Sequence, residues 1–180
     1  MRNVRYEFVF KKKQDKRRFQ KDFEEGNGEV GEHRKYIDRI NLCMNQIDGL
    51  YYMAARKLGI KDNTLILFYV LNDRKPHTQK EICEEWLIPR TTINTIVREN
   101  VKEGRIRLEN AGHKKEKQIF LTEKGKLYAD HILKSVYEAE EKAVERTLKE
   151  FSPELLTGLE AFTGYLKEEF QREILDKDVR

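Results

Sequence analysis

The chain has 180 residues, of which 38% are hydrophobic and 38% are charged, and its formal net charge is +4 at pH 7. This length supports one hydrophobic core with helical extensions. Charged residues interrupt the apolar ones too often for a membrane span, which needs about 18 consecutive apolar residues. The N-terminus lacks the apolar stretch and cleavage site of a signal peptide, so we expect a cytoplasmic protein.

Positive charge is concentrated in two parts of the chain. Residues 88–120 carry eight Lys and Arg against four Asp and Glu, and residues 1–35 carry eleven against seven. Both parts are candidates for contact with phosphate groups. Residues 1–33 combine the basic run KKKQDKRRFQKDFEE with aromatic residues, so we expect an N-terminal extension that docks on another surface, such as a partner subunit.

Residues 34–61 predict a first helix with an apolar seam. Its apolar residues recur three and four positions apart, and the seam is wider than a small domain needs, which predicts contact with a second subunit. The run LILFYVL, from Leu65 to Leu71, has no usable period and fits either a buried strand or a helix. We expect a helix, because Asp62 is a plausible N-cap.

The stretch from Thr78 to Gly104 predicts a helix-turn-helix. Thr78 lies three residues before Glu81, the spacing of a reciprocal helix cap, and this helix should end near Trp86. Pro89 is tolerated only at the start of the next helix, so the connection is short. The second helix, roughly Arg90 to Glu103, has Ile93, Ile96, Val97 and Val101 on its apolar side and Arg90, Thr91, Thr92, Asn94, Thr95 and Arg98 on its polar side.

A two-stranded wing should follow this second helix. Gly104 fits the left-handed position that closes a helix. Two short runs, 105–109 and 118–121, flank the basic turn AGHKKEK. Residues 62–121 therefore predict a winged helix-turn-helix lobe.

The C-terminal residues 122–180 predict two more helices. Thr122 caps a long helix to about Glu150, and Ser152 caps a final helix with Pro153 in its first turn. The fold class is mainly α with a small β-wing, in which the terminal helices form a dimerisation layer. The candidate dimerisation residues are Ile40, Met44, Ile47, Leu155, Leu159, Phe162, Leu166 and Phe170.

From Tyr36 onward the sequence resembles the MarR family of bacterial transcriptional regulators. The segments that carry the resemblance are TQKEICEEW, TTINTIVRENVKEG and LTEKGKLYA. The resemblance implies a homodimer that binds a pseudo-palindromic operator in double-stranded DNA, often represses transcription, and is released by a small ligand or by thiol oxidation. The family's Asp-x-Arg at the wing tip is replaced here by His113, Lys114 and Lys115, and a leucine that is common late in the recognition helix is replaced by Asn100.

The candidate DNA contacts follow from the motif and its charges. They are Thr78, Gln79, Arg90, Thr91, Thr92, Asn94, Thr95, Arg98, Arg107, His113, Lys114, Lys115 and Lys117. At the wing tip, His113 cannot replace the family's aspartate as a carboxylate, and Lys115 lacks the planar guanidinium of the family's arginine. We therefore expect the wing to contribute to the affinity for DNA more than to sequence specificity.

No catalytic constellation is evident, and we expect neither enzyme activity nor a cofactor or metal. Two isolated cysteines and four scattered histidines are too few for a disulfide framework or a zinc site. Cys43 and Cys83 are expected to be inert, buried thiols, although a redox-sensing regulator is an alternative. A cleft for an aromatic or phenolic effector is a further candidate, formed by Tyr51, Tyr52, Tyr69 and Trp86. A winged-helix module that binds protein is the competing function.

Overall fold

The computed structural model describes residues 29–110 and 116–177, and side chains from Gly31 onward. The described chain divides into two units, the first ending at Leu133 and the second beginning at Lys134. The fold is mainly helical with a small β-wing, as predicted, and the antiparallel sheet has three strands. The expected N-terminal extension lies almost wholly outside the described residues.

Helix α1 spans Glu29–Lys57 and therefore begins five residues before the predicted start at residue 34. Gly59 closes it at φ 71°, and the amide of Ile60 donates to the carbonyl of Ala55 at 3.0 Å. Glycine suits this left-handed position because it lacks a Cβ.

Helix α2 spans Asp62–Leu71, so the ambiguous run LILFYVL is helical. Six of its ten residues are buried, which explains why its sequence shows no amphipathic period. The predicted cap was wrong, because Lys61 is the N-cap and Asp62 is the first helical residue.

The helix-turn-helix comprises α3 (Gln79–Trp86) and α4 (Arg90–Lys102). The predicted capping box of α3 is present: the amide of Glu81 donates to Thr78 Oγ1 at 3.1 Å, and the amide of Thr78 donates to Glu81 Oε2 at 2.7 Å. Two orphan amides at the start of the helix are thereby satisfied.

The sheet contains β1 (His77–Thr78), β2 (Ile106–Asn110) and β3 (Lys117–Leu121), in the order β1–β3–β2. The sequence did not predict β1, which pairs with β3 through His77 opposite Ile119. The hairpin of β2 and β3 is the predicted wing, and its register places Ile106 opposite Leu121. The sheet covers a core that is shared with α2, α3 and α4 and consists of Leu67, Val70, Leu71, Ile82, Ile93, Ile96, Val97, Ile106 and Ile119.

The loop after α2 leads into this sheet and is ordered by Asp73. Its Oδ1 accepts from the amide of Lys75 at 2.8 Å and lies 2.9 Å from His77 Nε2. Partial burial alone would raise the pKa of Asp73, but the hydrogen bonds from His77 and the Lys75 amide outweigh it and hold that pKa below its ordinary value.

Helix α5 spans Glu123–Leu148 and α6 spans Glu154–Phe170, followed by a π-helical turn, Gln171–Leu175. Thr122 caps α5 as predicted, because its Oγ1 accepts from the amide of Gly125 at 3.0 Å. For α6 the N-cap is Pro153 rather than Ser152. Along α5, Ala129 and Ile132 are buried, whereas Ala139 and Ala143 are exposed.

Candidate nucleic-acid interface

The turn before α4 exposes the N-terminus of that helix. Leu87 ends α3 in a left-handed conformation with φ 49°, and its side chain is 86% exposed. Pro89 is the N-cap of α4, and its carbonyl accepts from the amides of Thr92 and Ile93 at 2.9 and 3.2 Å. Helix α4 therefore begins directly after a tight, exposed turn.

Helix α4 separates an apolar face from a polar one. Ile93, Ile96 and Val97 are buried in the core. Of the six polar residues predicted to form the opposite face, Thr92 is half-buried and the others are exposed, namely Arg90, Thr91, Asn94, Thr95 and Arg98. The helix thus presents short polar groups and two arginines to its surroundings.

The charge on this face is positive. Glu99 is the only acidic residue of α4, and both of its carboxylate oxygens accept from Lys61 Nζ at 2.9 Å. Within the described parts of the chain, neither Arg90 nor Arg98 forms an ion pair. Because Lys61 already compensates Glu99, both arginines can engage an external anion.

Two side chains on this face differ in the hydrogen bonds they can offer. Thr95 Oγ1 donates to the Thr91 carbonyl at 2.9 Å, so its hydroxyl can only accept from a ligand. Asn94 makes no side-chain hydrogen bond to another described residue, which leaves its amide donors and its oxygen available together. An exposed carboxamide with both functions free matches the edge of adenine in the major groove.

The first residues of the motif are less accessible than predicted. Thr78 is buried, and its hydroxyl accepts from the amide of Glu81. Gln79 is half-buried, and its Oε1 is enclosed without a hydrogen-bond donor from the described residues. Thr78 is therefore not among the proposed contacts, since its side chain is buried.

The described part of the wing contains two of the predicted cations. Lys117 is exposed at the start of β3, opposite Asn110. Arg107 lies near the base of the hairpin, where its guanidinium carbon is 4.7 Å from the centre of the Phe120 ring and its Nη1 pairs with Glu109. His113, Lys114 and Lys115 lie outside the described residues.

The end of α4 is joined to the wing by a polar network that the sequence did not predict. Val101 was expected in the core, but it is 38% exposed and Asn100 is buried at 2% exposure instead. Asn100 Nδ2 donates to the Ile96 carbonyl at 2.9 Å, and Arg105 Nη1 donates to Asn100 Oδ1 at 3.2 Å. At about 100° per residue, position 100 lies only about 20° from Ile93 and position 101 about 80° from it, which explains the exchange.

The same network reaches the start of α5. The guanidinium carbon of Arg105 lies 3.8 Å from the centre of the Tyr128 ring, and burial raises the pKa of Tyr128 although Arg105 opposes this shift. The carbonyl of Arg105 accepts from the amide of Thr122 at 3.0 Å. A Cβ at Gly125 would lie 1.9 Å from that carbonyl oxygen, so only glycine permits this approach.

The four aromatic residues predicted to form an effector cleft lie on α1, α2 and α3. Tyr69 and Trp86 meet edge to face with ring centres 6.0 Å apart, and Tyr51 and Tyr52 are half-buried on α1. A cavity of about 390 Å³ in the first unit is lined by other residues. An effector cleft between the dimerisation helices and the DNA-binding lobe stays a prediction.

The predicted dimerisation residues are substantially exposed in the single chain. On α1, Met44 and Ile47 are 50% and 52% exposed; on α6, Leu155, Leu159 and Phe170 are 50% to 55% exposed. Ile40, Phe162 and Leu166 are half-buried.

The cysteines differ from each other. Cys83 is half-buried against the core, but Cys43 is exposed, so the expectation of two buried thiols was wrong for Cys43 in the single chain. Over residues 29–110 and 116–177, no group of three His, Cys, Asp or Glu residues could hold a metal ion. Within the same ranges no helix is long and apolar enough to cross a membrane.

Comparison with known proteins relates this arrangement to one fold. No protein-family model matches the sequence, and no curated protein matches it significantly. Among solved structures, a MarR family regulator from Neisseria meningitidis matches with a TM-score of 0.67 and 21% identity, over 76% of this chain and 97% of its own. A MarR family transcriptional regulator from Listeria monocytogenes, complexed with a 26mer DNA, matches with a TM-score of 0.58 and 21% identity, over 77% and 91%.

A third structure is Staphylococcus aureus MarR in complex with salicylate and kanamycin, which matches with a TM-score of 0.56 and 17% identity, over 78% of this chain and 93% of its own. The chain therefore has the winged-helix fold of MarR family transcriptional regulators.

Proposed function

We propose that the protein is a dimeric, sequence-specific DNA-binding transcriptional regulator of the MarR type, acting as a repressor. The observation that carries the proposal is the exposed face of α4, where Arg90 and Arg98 flank short polar side chains and the single acid of the helix is paired with Lys61. The Listeria protein of the same fold, which was crystallised with DNA, supports the assignment.

In this proposal α4 is the recognition helix and lies in the major groove. Asn94 can bond both functional groups of the adenine edge, and Arg98 can reach guanine or a phosphate. Thr91 and Thr95 expose methyl and oxygen groups suited to thymine or to a base donor. Arg90, at the first position of the helix, contacts the backbone.

The dimer would set two such helices in successive major grooves, about 34 Å apart, on a pseudo-palindromic operator. The exposed apolar residues of α1 and those of α6 each support a dimer, because an exposed apolar seam on a helix is uncommon on soluble monomers. A second copy of the chain is the proposed partner of each seam.

Release by a small effector is the regulatory part of the proposal. The salicylate complex of the Staphylococcus protein supports an aromatic or phenolic ligand, with Tyr51, Tyr52, Tyr69 and Trp86 as candidate contacts. Thiol regulation is the alternative, and the exposure of Cys43 favours it more than that of Cys83. Loss of DNA binding on peroxide treatment that Cys43→Ser abolishes would establish the thiol alternative.

The direct test is binding of the purified protein to DNA that flanks its own coding region, followed by selection of the preferred operator from random sequences. Asn94→Ala and Arg98→Ala should each weaken operator binding by about 1–3 kcal/mol and relax the preference at one position. Arg146→Ala is a matched control, because Arg146 is an exposed arginine in the last turn of α5. Unchanged operator preferences in both α4 variants would mean that this face does not read DNA.

The wing gives an independent part of the same test. Lys117→Ala should weaken binding to operator and random DNA alike and reduce the slope of log K against log salt by about one, because one phosphate contact is lost. If the change affects only the operator, the wing reads sequence or shape. If no DNA binds at physiological salt, the competing function, a winged-helix module that binds protein, becomes the working hypothesis.

A further inference from the structure

A cavity of about 390 Å³ lies against the hairpin, within the first unit of the chain. Ile106 and Ile119 point into the core, and side chains alternate along a strand, so Arg107 and Phe120 project from the opposite, outer face of the sheet. The remaining walls come from the end of α2, the loop that follows it, the end of β3 and the first turn of α5. The volume is within the range of roughly 300–1,000 Å³ that is usual for small-molecule sites.

The charged residues that line this cavity all have the same sign. They are Arg74, Lys75, Arg107 and Lys126, and no carboxylate belongs to the part of the wall that the structure describes. The other walls are apolar and include Leu71 and Phe120. A concave surface lined by cations raises the local concentration of anions because its low-dielectric walls focus the field.

Three of these cations also pair with carboxylates that do not line the cavity. Arg74 pairs with Asp130 at 2.5 Å, Lys126 pairs with Glu123 at 2.6 Å, and Arg107 pairs with Glu109. These three acidic side chains are 49% to 86% exposed, so water competes with the cations for them and a multivalent anion can displace them. Each guanidinium also has five N–H donors, so one carboxylate does not exhaust it.

Two of the cations are held in defined positions. The ring of Phe120 supports the guanidinium of Arg107 from one side, and the N–H donors that Glu109 does not engage can bind an oxyanion. Arg74 has φ 63°, a left-handed conformation that glycine adopts most readily. The amide of Arg74 donates to the Leu71 carbonyl, which fixes the turn at this position. The turn therefore holds the backbone from which the Arg74 side chain reaches the cavity.

We propose that this cavity binds a small organic anion with at least two negative charges, an organic phosphate or a polycarboxylate. Four cations favour a multivalent oxyanion, and the wall formed by Leu71 and Phe120 favours an organic body over an inorganic ion. The site is separate from the exposed face of α4, and the proposal does not depend on DNA binding.

The test uses the complete protein without DNA and measures binding of citrate, phenyl phosphate and inorganic phosphate by calorimetry at about 0.15 M salt, where long-range surface attraction is screened. Citrate and phenyl phosphate should bind saturably, and phenyl phosphate should bind more tightly than inorganic phosphate. Lys75→Gln and Lys126→Gln should each weaken binding about tenfold, the effect of losing one charge-assisted hydrogen bond. The matched control is Lys57→Gln, which removes one exposed positive charge outside the cavity.

Three results would overturn the proposal. The first is absence of saturable binding, and the second is equal weakening by Lys57→Gln, which would indicate attraction to net charge alone. The third is equal affinity for phenyl phosphate and inorganic phosphate, because the apolar wall would then contribute nothing. A chemical-shift map of the unaltered protein guards against misfolded variants: the changes should centre on Arg107 and Phe120, and changes centred elsewhere would also refute the site.

Discussion

The bond between Asn100 and Arg105 gives the sharpest test of the structure, because it joins the end of α4 to the first residue of the wing. Asn100→Ala removes two hydrogen bonds, one to the Ile96 carbonyl and one from Arg105 Nη1. The first is between neutral groups and should contribute about 1 kcal/mol, and the second is charge-assisted and should contribute about 1.5–3 kcal/mol.

Two effects reduce this sum. The Arg105 side chain is 23% exposed, so water replaces part of the lost bond and the lower end of the range applies. Alanine is also the better helix former, by roughly 0.5 kcal/mol. We therefore expect Asn100→Ala to lower the free energy of unfolding by about 2 kcal/mol, as the lost polar contacts exceed the gain in helix propensity.

The assay is urea denaturation followed by circular dichroism at one fixed protein concentration, since association would otherwise change the apparent stability. A double-mutant cycle with Arg105→Met isolates the pair and should show a coupling energy of about 1 kcal/mol. Asn94→Ala is the matched control on the exposed face of the same helix, and it should change stability by less than about 0.5 kcal/mol. A coupling energy below about 0.3 kcal/mol, the usual error of additivity, would show that the bond does not hold α4 to the wing.

Three further predictions concern other parts of the chain. Gly125→Ala should destabilise the protein by about 1–3 kcal/mol, because the added Cβ would collide with the Arg105 carbonyl. Gly31→Ala is the control, since a Cβ added there meets no other atom, and equal destabilisation by both changes would refute the close approach. Because the pKa of Asp73 is lowered in the folded protein, its ionised carboxylate stabilises the fold above the unfolded-state pKa of about 4, and this stability is lost as pH falls through the folded-state pKa. Asp73→Asn should therefore destabilise the protein at neutral pH but not in strong acid. The unaltered protein should sediment as a dimer at micromolar concentration and the double change Phe162→Glu, Leu166→Glu as a monomer or unfolded chain, whereas a monomeric unaltered protein would contradict the proposed interface.

The features that were predicted correctly from the sequence depend on residues that lie close together in the chain. The cap formed by Thr78 and Glu81, the left-handed Gly104 and the cap at Thr122 each depend on neighbours in the chain. The two runs of the wing are equally local, and both strands lie within one residue of the predicted bounds. Local hydrogen bonds and backbone preferences therefore carried the prediction of the winged helix-turn-helix.

The features that the sequence did not predict depend on packing between distant residues. Strand β1 has only two residues, too few for any alternation, and it forms because β3 lies beside it about forty positions later. Lys61 neutralises Glu99 across 38 positions, and Arg74 meets Asp130 across 56. No spacing rule links such pairs, so neither the neutralisation of Glu99 by Lys61 nor the cationic cavity could be predicted from the sequence.

Asn100 lies between these two cases. The helical spacing indicated that residue 100 is buried, but Val101 was predicted to be buried instead. The buried positions 93, 96 and 97 place residue 100, not residue 101, on the inner face of α4 at about 100° per residue. An asparagine that points inward requires a hydrogen-bond partner within reach, since a buried polar group without one is costly. The helix ends two residues later, and the side chain of Arg105 supplies such a partner. A buried polar residue near the end of a helix thus predicts a bond to the following segment, and in this chain that bond fixes the base of the wing to the proposed recognition helix.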